Sequence, residues 1–343
     1  MDVVDLMFSH LCFRIDLAGL SSRVCRDVAR AFSPFAVQNG RRPRETLAIK
    51  AFRIPWGKRI ASELGSTLRE ILQVPSGKFP FPSDPEREIE GILDFLRPFC
   101  RHREFPPFFS DLKNPAEAVI YPLNRGCLVR RQGPAGSVLF LKRGFSRRQE
   151  VEAVCRATHL SVSMALPLVE GIMLHGVGVR REGVGFLFLG LSGSGKTTLS
   201  RFSPPEEVIS DDGIIVERAE SGFALAPGPI DQSHSEGACP DGCGPGKTGL
   251  CMGFLLEKDR KVSLERLHPS DACSIILKNH IHYFRHFPSA SVERSFRLVS
   301  DLCRRIPFYR LYFRKEPSFW ELIAAEMKNG VQHRGEGHGF ERQ

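Results

Sequence analysis

One stretch, Gly185 to Val216, restricts what this chain can fold into more than any other. It opens with the apolar run Phe186-Leu187-Phe188-Leu189. Gly190-Leu191-Ser192-Gly193-Ser194-Gly195-Lys196-Thr197 follows, which is G-x-x-x-x-G-K-[ST] without a mismatch. A short helical piece, two prolines (Pro204, Pro205) and the apolar tract Val208-Ile209-Ser210-Asp211-Asp212-Gly213-Ile214-Ile215-Val216 complete it. An apolar strand feeding a glycine loop that opens a helix is the context that makes this motif meaningful.

The residue types suit a polyphosphate. Gly193 and Gly195 allow the backbone to curl round phosphate oxygens without a Cβ in the way. Successive N–H groups then point inward, and the helix start adds partial positive charge. Lys196 supplies a mobile cation for the terminal phosphates, and the Thr197 hydroxyl is placed to ligand Mg²⁺. The expected ligands are therefore ATP and Mg²⁺, with Gly190, Ser192, Gly193, Ser194, Gly195, Lys196, Thr197 and Thr198 forming the binding loop.

At 343 residues the chain suits two domains or one large one. Charge is lopsided. Residues 1–170 hold 26 Lys+Arg and 18 Asp+Glu, whereas 171–343 hold 22 and 21, so nearly all of the net +9 lies ahead of the motif. The arginines are scattered, and the densest cluster is Arg41-Arg42-Pro43-Arg44. That favours a solvated surface over an anionic partner such as nucleic acid, a membrane or an acidic protein. The start of the chain carries Asp2 and Asp5 and no basic region, so it does not read as a signal peptide. No window approaches the ~18 apolar residues of a membrane span. The expected location is cytoplasmic, without a membrane partner. The ten cysteines lie mostly in apolar runs, as small core residues rather than a disulfide framework.

The chain in order predicts a half-buried strand through Leu11, Phe13, Ile15 and Leu17. A helix follows, capped by Ser21 or Ser22, then a strand near Thr46–Ile54. Residues 75–110 are rich in proline, with one helix near Glu86–Leu96. Gly126–Arg131 and Ser137–Lys142 flank Gly133-Pro134-Ala135-Gly136 as a hairpin. A helix from Glu150 toward Met164 ends near Pro167, and a strand over Ile172–Val179 turns at Arg181-Glu182-Gly183 into Phe186. Asp212-Gly213 reads as a hairpin turn. Residues 226–249 read as loop, Cys251–Leu256 as strand, and Val292, Phe296, Val299, Leu302 and Cys303 as a helical stripe. Tyr309–Phe313 is a last strand, and Ser318-Phe319-Trp320-Glu321 a capping box. The expected domains are 1–148, 149–329 and a disordered tail, 330–343.

His175-Gly176 stands 21 residues before Lys196, on the preceding predicted strand, and Asp211 and Asp212 stand 15 and 16 after it. His-Gly, strand, phosphate loop, short helix, then V-x-S-D-D-x-I resembles the catalytic core of the HPr kinase/phosphorylase family, of the same structural group as the phosphoenolpyruvate carboxykinases. LHGVGVRREGVGFLFLGLSGSGKTTLS looks still more like the HPr-serine-kinase-like proteins, some of which accompany peptide-modification systems. The resemblance is specific over about 171–217, looser to about 325 and faint before. It implies a mixed α/β fold: a carboxykinase-like P-loop kinase core with a mixed sheet, plus a smaller N-terminal α+β domain that can recognise the acceptor. It implies an ATP-dependent serine-kinase-like enzyme acting on a peptide or protein. The catalytic set would be Asp212, Asp211, His175 and Lys196, with Thr197 and Asp211 at the metal. Of the acidic pair, one would lie nearer the metal and one nearer the attacking hydroxyl. Residues 226–256 hold no counterpart of the family's second signature, so the resemblance does not extend to HPr as acceptor or to phosphorolysis.

Other constellations compete. Cys239, Cys243, Cys251 and His234 raise a zinc site against a flexible loop, because the second paired half is missing. His282 and His286 would share a helix face, with His280 nearby. A nucleotide-dependent regulatory protein with little turnover, a small-molecule kinase and a nucleic-acid binder are the alternative functions. Oligomeric state is left open.

Overall fold

A computed structural model describes residues 3–8, 11–37, 46–53, 118–123, 126–131, 137–141, 146–229, 247–284, 287, 289–314 and 316–335. The helix expected near Glu86–Leu96, the Gly133–Gly136 turn, His234, Cys239, Cys243 and His286 lie outside them. The chain divides into two compact units. The first runs through Val169 and takes in Tyr283–Val292; the second begins at Glu170. The helix that opens at Arg147 thus belongs with the first unit, although the sequence put the boundary at its first turn.

In the first unit, β1 (Val3–Phe8) and β2 (Leu11–Gly19) form an antiparallel pair. The strands β3 (Thr46–Arg53), β4 (Ala118–Leu123), β5 (Gly126–Arg131) and β6 (Ser137–Leu141) complete a six-stranded sheet in the order β1-β2-β3-β6-β5-β4. β2, β3 and β6 run parallel, and β5 and β6 form the expected antiparallel pair. Alternation along β2 buries Leu11, Phe13, Ile15 and Leu17, while Arg14 turns outward to Asp5. Helix α1 (Ser22–Ala31) is capped by the Ser21 hydroxyl, which accepts from Val24 N–H. Its Val24 and Val28 are buried. Helix α2 (Arg147–Ala165) starts on a capping box, Ser146 with Gln149, and its Arg147 pairs with Asp27 of α1.

The second unit is built on one mixed sheet. Its strands are β7 (Gly171–Arg181), β8 (Val184–Leu189), β9 (Val208–Ser210), β10 (Gly213–Ala219), β11 (Gly222–Pro227), β12 (Thr248–Lys258), β13 (Ser263–Arg266) and β14 (Phe308–Phe313). The order is β11-β10-β7-β8-β12-β14-β13, with β9 also on β7. β8, β12 and β14 are parallel neighbours; the other pairings are antiparallel. Helices α3 (Lys196–Ser200), α4 (Pro269–Asn279), α5 (Ser289–Arg305) and α6 (Phe319–Gly335) follow the strands. The architecture is mixed α/β.

Covered on both faces, β8 is buried from Gly185 to Leu189, which explains its unbroken apolar run. Phe188 stacks on Phe254 at 5.0 Å between ring centroids, and Trp320 of α6 meets Phe188 edge-on at 5.7 Å. Phe186, Phe313, Phe319 and Leu199 close the same cluster. Each such side chain contributes about 1.5–3 kcal/mol on burial. The cluster fixes the end of β8, where the glycine loop begins.

Several expectations need correction. Asp212-Gly213 is not a hairpin turn. β9 and β10 both pair antiparallel with β7, with Ser210 opposite Gly178 and Gly213 opposite His175, so they run the same way as one strand interrupted by the two aspartates. The Ser210 hydroxyl bridges the break by donating to Gly213 C=O at 2.8 Å. The hairpin is the next one, β10 with β11. α6 begins at Phe319, directly after Ser318 as expected, and the Ser318 hydroxyl donates to Glu316 at 2.8 Å. α6 continues to Gly335, past the expected end at 330. Phe296 breaks the expected buried stripe of α5 and is 49% exposed.

Candidate active site

The glycine loop leaves β8 at Leu189 and enters α3 at Lys196. Gly193 has φ +78° and Gly195 φ +110°, a region that costs an L side chain dearly. A Cβ at Gly195 would also come within 2.7 Å of Phe313, whereas nothing stands within 4 Å of one at Gly193, where the loop faces open space. The Lys196 ammonium donates to Gly190 C=O at 2.6 Å and Leu191 C=O at 3.1 Å, so it is held inside its own loop. Burial lowers its pKa, and the nearby Asp212 opposes that shift. The Ser194 hydroxyl is buried with no hydrogen-bond partner among the described residues. Ser192 and Thr197 are exposed and Thr198 is half-buried. Open glycine backbone, an enclosed cation and an unsatisfied hydroxyl fit a polyphosphate.

β7 carries the next groups. His175-Gly176 lies where β8 has just ended: Gly176 is opposite Leu189, and a Cβ there would come within 2.7 Å of Phe188 C=O. Gly176 N–H donates to Asp212 C=O at 3.2 Å. The break between β9 and β10 thereby sets the Asp212 side chain against His175, with Nδ1 at 3.0 Å from Oδ1. Asp211 points elsewhere, and its Oδ1 is buried. The sequence pairing of His175, Lys196 and Asp212 is therefore brought together around one end of β8. Asp211 adjoins it along the chain.

A residue the sequence reading placed otherwise joins them. The sequence leaves 280–286 helical or extended, with His282 and His286 on one face if helical. In the structure α4 ends before His280, and 280–282 run alongside β7 where β8 has left that edge. His175 N–H donates to His280 C=O at 2.7 Å, and His282 N–H to Met173 C=O at 3.2 Å. The His282 ring lies edge-on to His175 at 5.1 Å, with Nε2 at 3.4 Å from Asp212 C=O. Burial, then the nearby His175 and Lys196, pushes His282 down to about 4; burial, then Lys196 and His175, does the same to His280. Both imidazoles are thus neutral at pH 7. The available signal was the i, i+2 spacing of His280 and His282, which puts both on one side of an extended segment.

His175, Asp212 and His282 present ligand atoms within 4.8 Å of one another. Two imidazoles and a carboxylate are a donor set able to hold a divalent cation. The sequence reading placed the metal on Thr197 and Asp211, so the structure offers Asp212 a second possible task. The chain matches no protein-family profile and no curated protein. Among the described residues no helix is long and apolar enough to cross a membrane.

Proposed function

We propose that the chain is an ATP-dependent phosphotransferase of HPr-kinase-like type, passing a phosphoryl group to a serine hydroxyl of a peptide or protein. The observation that carries the reading is Asp212, held against His175 at the end of β8 while sharing an electrostatic field with Lys196. A carboxylate so placed beside a phosphate loop can accept a hydroxyl proton. Bound Mg-ATP would supply the phosphoryl group.

The chain's own parts divide the work. The backbone N–H groups of 190–197 and Lys196 hold the phosphates and offset their charge. Thr197 and one aspartate hold the metal. His175 orients Asp212 through the 3.0 Å contact, and neutral His282 packs against that imidazole from the other side. The preferred assignment makes Asp212 the base and Asp211 the metal ligand.

Transfer of radiolabelled γ-phosphate from ATP to serine peptides tests the reading. Incorporation that Lys196→Ala removes supports it. Tight nucleotide binding with no transfer to peptide or small hydroxyl acceptors would leave a nucleotide-dependent regulatory protein instead.

A further inference from the structure

A groove of about 1110 Å³ lies in the second unit, against α4, α5 and the far end of β10. Arg218, Arg297, Arg304 and Arg305 line it, with Asp301 and the ring of Phe296. Asp301 accepts from Arg218 at 2.6 Å and from Arg305 at 2.9 Å, and Arg304 stands 3.9 Å away. Three guanidiniums offer about fifteen N–H donors, against about four lone-pair sites on Asp301 and about four on Glu170, which accepts from Arg218 at 2.8 Å. About half of the donors therefore remain for the groove or water. The side chains of Arg297, Arg304 and Arg305 are 76%, 66% and 57% exposed. Phe296 and Arg304 are eight residues apart on α5, so an aromatic ring and a guanidinium share one helix face.

We propose that this groove docks an acidic peptide segment of the hydroxyl acceptor, its carboxylates on the arginines and an apolar side chain on Phe296. The inference rests on the phosphotransferase reading for the word acceptor; the docking itself does not. Guanidiniums bind carboxylates bidentately, and the one acidic floor residue fixes their fork geometry. The charged stretch from Arg297 to Arg305 is roughly 12 Å long at 1.5 Å per residue. That matches about four extended peptide residues. β10 connects the two places: Gly213 adjoins Asp212, and Arg218 is five residues further, roughly 17 Å along the strand. A serine about five residues from an acidic run can therefore reach the site while the run stays docked.

The test uses the full chain and a fluorescein-labelled peptide with three glutamates and a leucine, then a serine five residues on. Anisotropy should report binding that weakens about 10-fold in Arg304→Ala/Arg305→Ala and about 3-fold in Phe296→Ala. A peptide with glutamine for glutamate should bind no better than the double variant binds the acidic one. Arg297→Ala, which gives up only an intrahelical pair with Glu293, gives a second reading should the double variant fold poorly. In transfer assays the double variant should raise KM for the acidic peptide and leave kcat unchanged. Equal affinity in parent and variants, or a single-stranded oligonucleotide of equal charge displacing the peptide, would overturn the proposal. Failure of the phosphotransferase reading looks different: anisotropy still reports the groove, while no peptide, acidic or not, takes up phosphate.

Discussion

The two ends of β10 handle charge in opposite ways. At its start, Asp212, His175, His282 and Lys196 are close together and partly buried. Burial is the leading cause of the shifts at Lys196 and His282, and it weakens their hold on a proton. At its far end, the Arg304 and Arg305 side chains are mostly exposed to water, around an Asp301 that is half-buried. Hydrogen bonds that Arg218 donates to Glu170 and Asp301 raise its pKa. Burial tends to raise Asp301, but Arg218 and Arg305 overcome it and hold the carboxyl below its usual range. Desolvated, mismatched groups suit proton and phosphoryl transfer; hydrated, mutually charged groups suit recognition. In the proposed reading, one strand thus presents a reactive end and a docking end.

The contrast breaks most sharply at the loop. Lys196→Ala should reduce transfer by about 10³-fold or more, because an enclosed cation facing the phosphates is lost. Rate measurements at saturating ATP check this, and normal turnover would remove the loop from the mechanism. Gly195→Ala forces a side chain into φ +110° and against Phe313. A cost of about 1–3 kcal/mol in stability is expected, read by denaturant unfolding, together with weaker nucleotide binding.

The pH dependence of stability separates the two ends. His280 and His282 sit at about 4 when folded, against 6.5 in an unfolded chain. Their folded pKa is depressed, so the unfolded state binds the extra protons. Stability is complete above pH 6.5, falls as pH drops from 6.5 toward 4, and loses a few kcal/mol in all. Asp301 is depressed below 3.8, so its contribution is present above that value and disappears only at lower pH. His282→Gln should flatten the upper window and leave the lower one. An unchanged melting profile between pH 6.5 and 4 in that variant would contradict the assignment.

The smallest effect belongs to the groove. Asp301→Asn should cost about 1 kcal/mol, and less at high salt, because its partners are exposed. A salt-independent loss would mean that Asp301 acts through packing.

What was legible in the sequence was what is local. The loop, its strand, the short α3 and the spacing to Asp212 are read within about thirty residues, where glycine, proline and apolar runs act directly. The alternation in β2 and the Ser21 cap were legible for the same reason. The collinear β9 and β10 were not, because Asp-Gly between apolar runs has the chemistry of a turn and only pairing with β7 decides against it. His282 is 70 residues from Asp212, and Asp301 is 83 from Arg218. Neither meeting leaves a local trace. Phe296 fitted an apolar stripe by period alone, and period does not tell a core from a groove.

The central claim is that Asp212 performs chemistry rather than holding the nucleotide. Asp212→Asn keeps the size of the side chain and removes the proton acceptor. A positioned base is worth about 10²–10⁴ in rate, or roughly 3–5.5 kcal/mol of barrier. Calorimetric Mg-ATP affinity measured beside single-turnover transfer gives the decision. The account predicts affinity close to the parent with nearly all transfer lost, and the reverse for Asp211→Asn, whose nucleotide affinity and metal dependence should weaken together. Undiminished transfer in Asp212→Asn would contradict it.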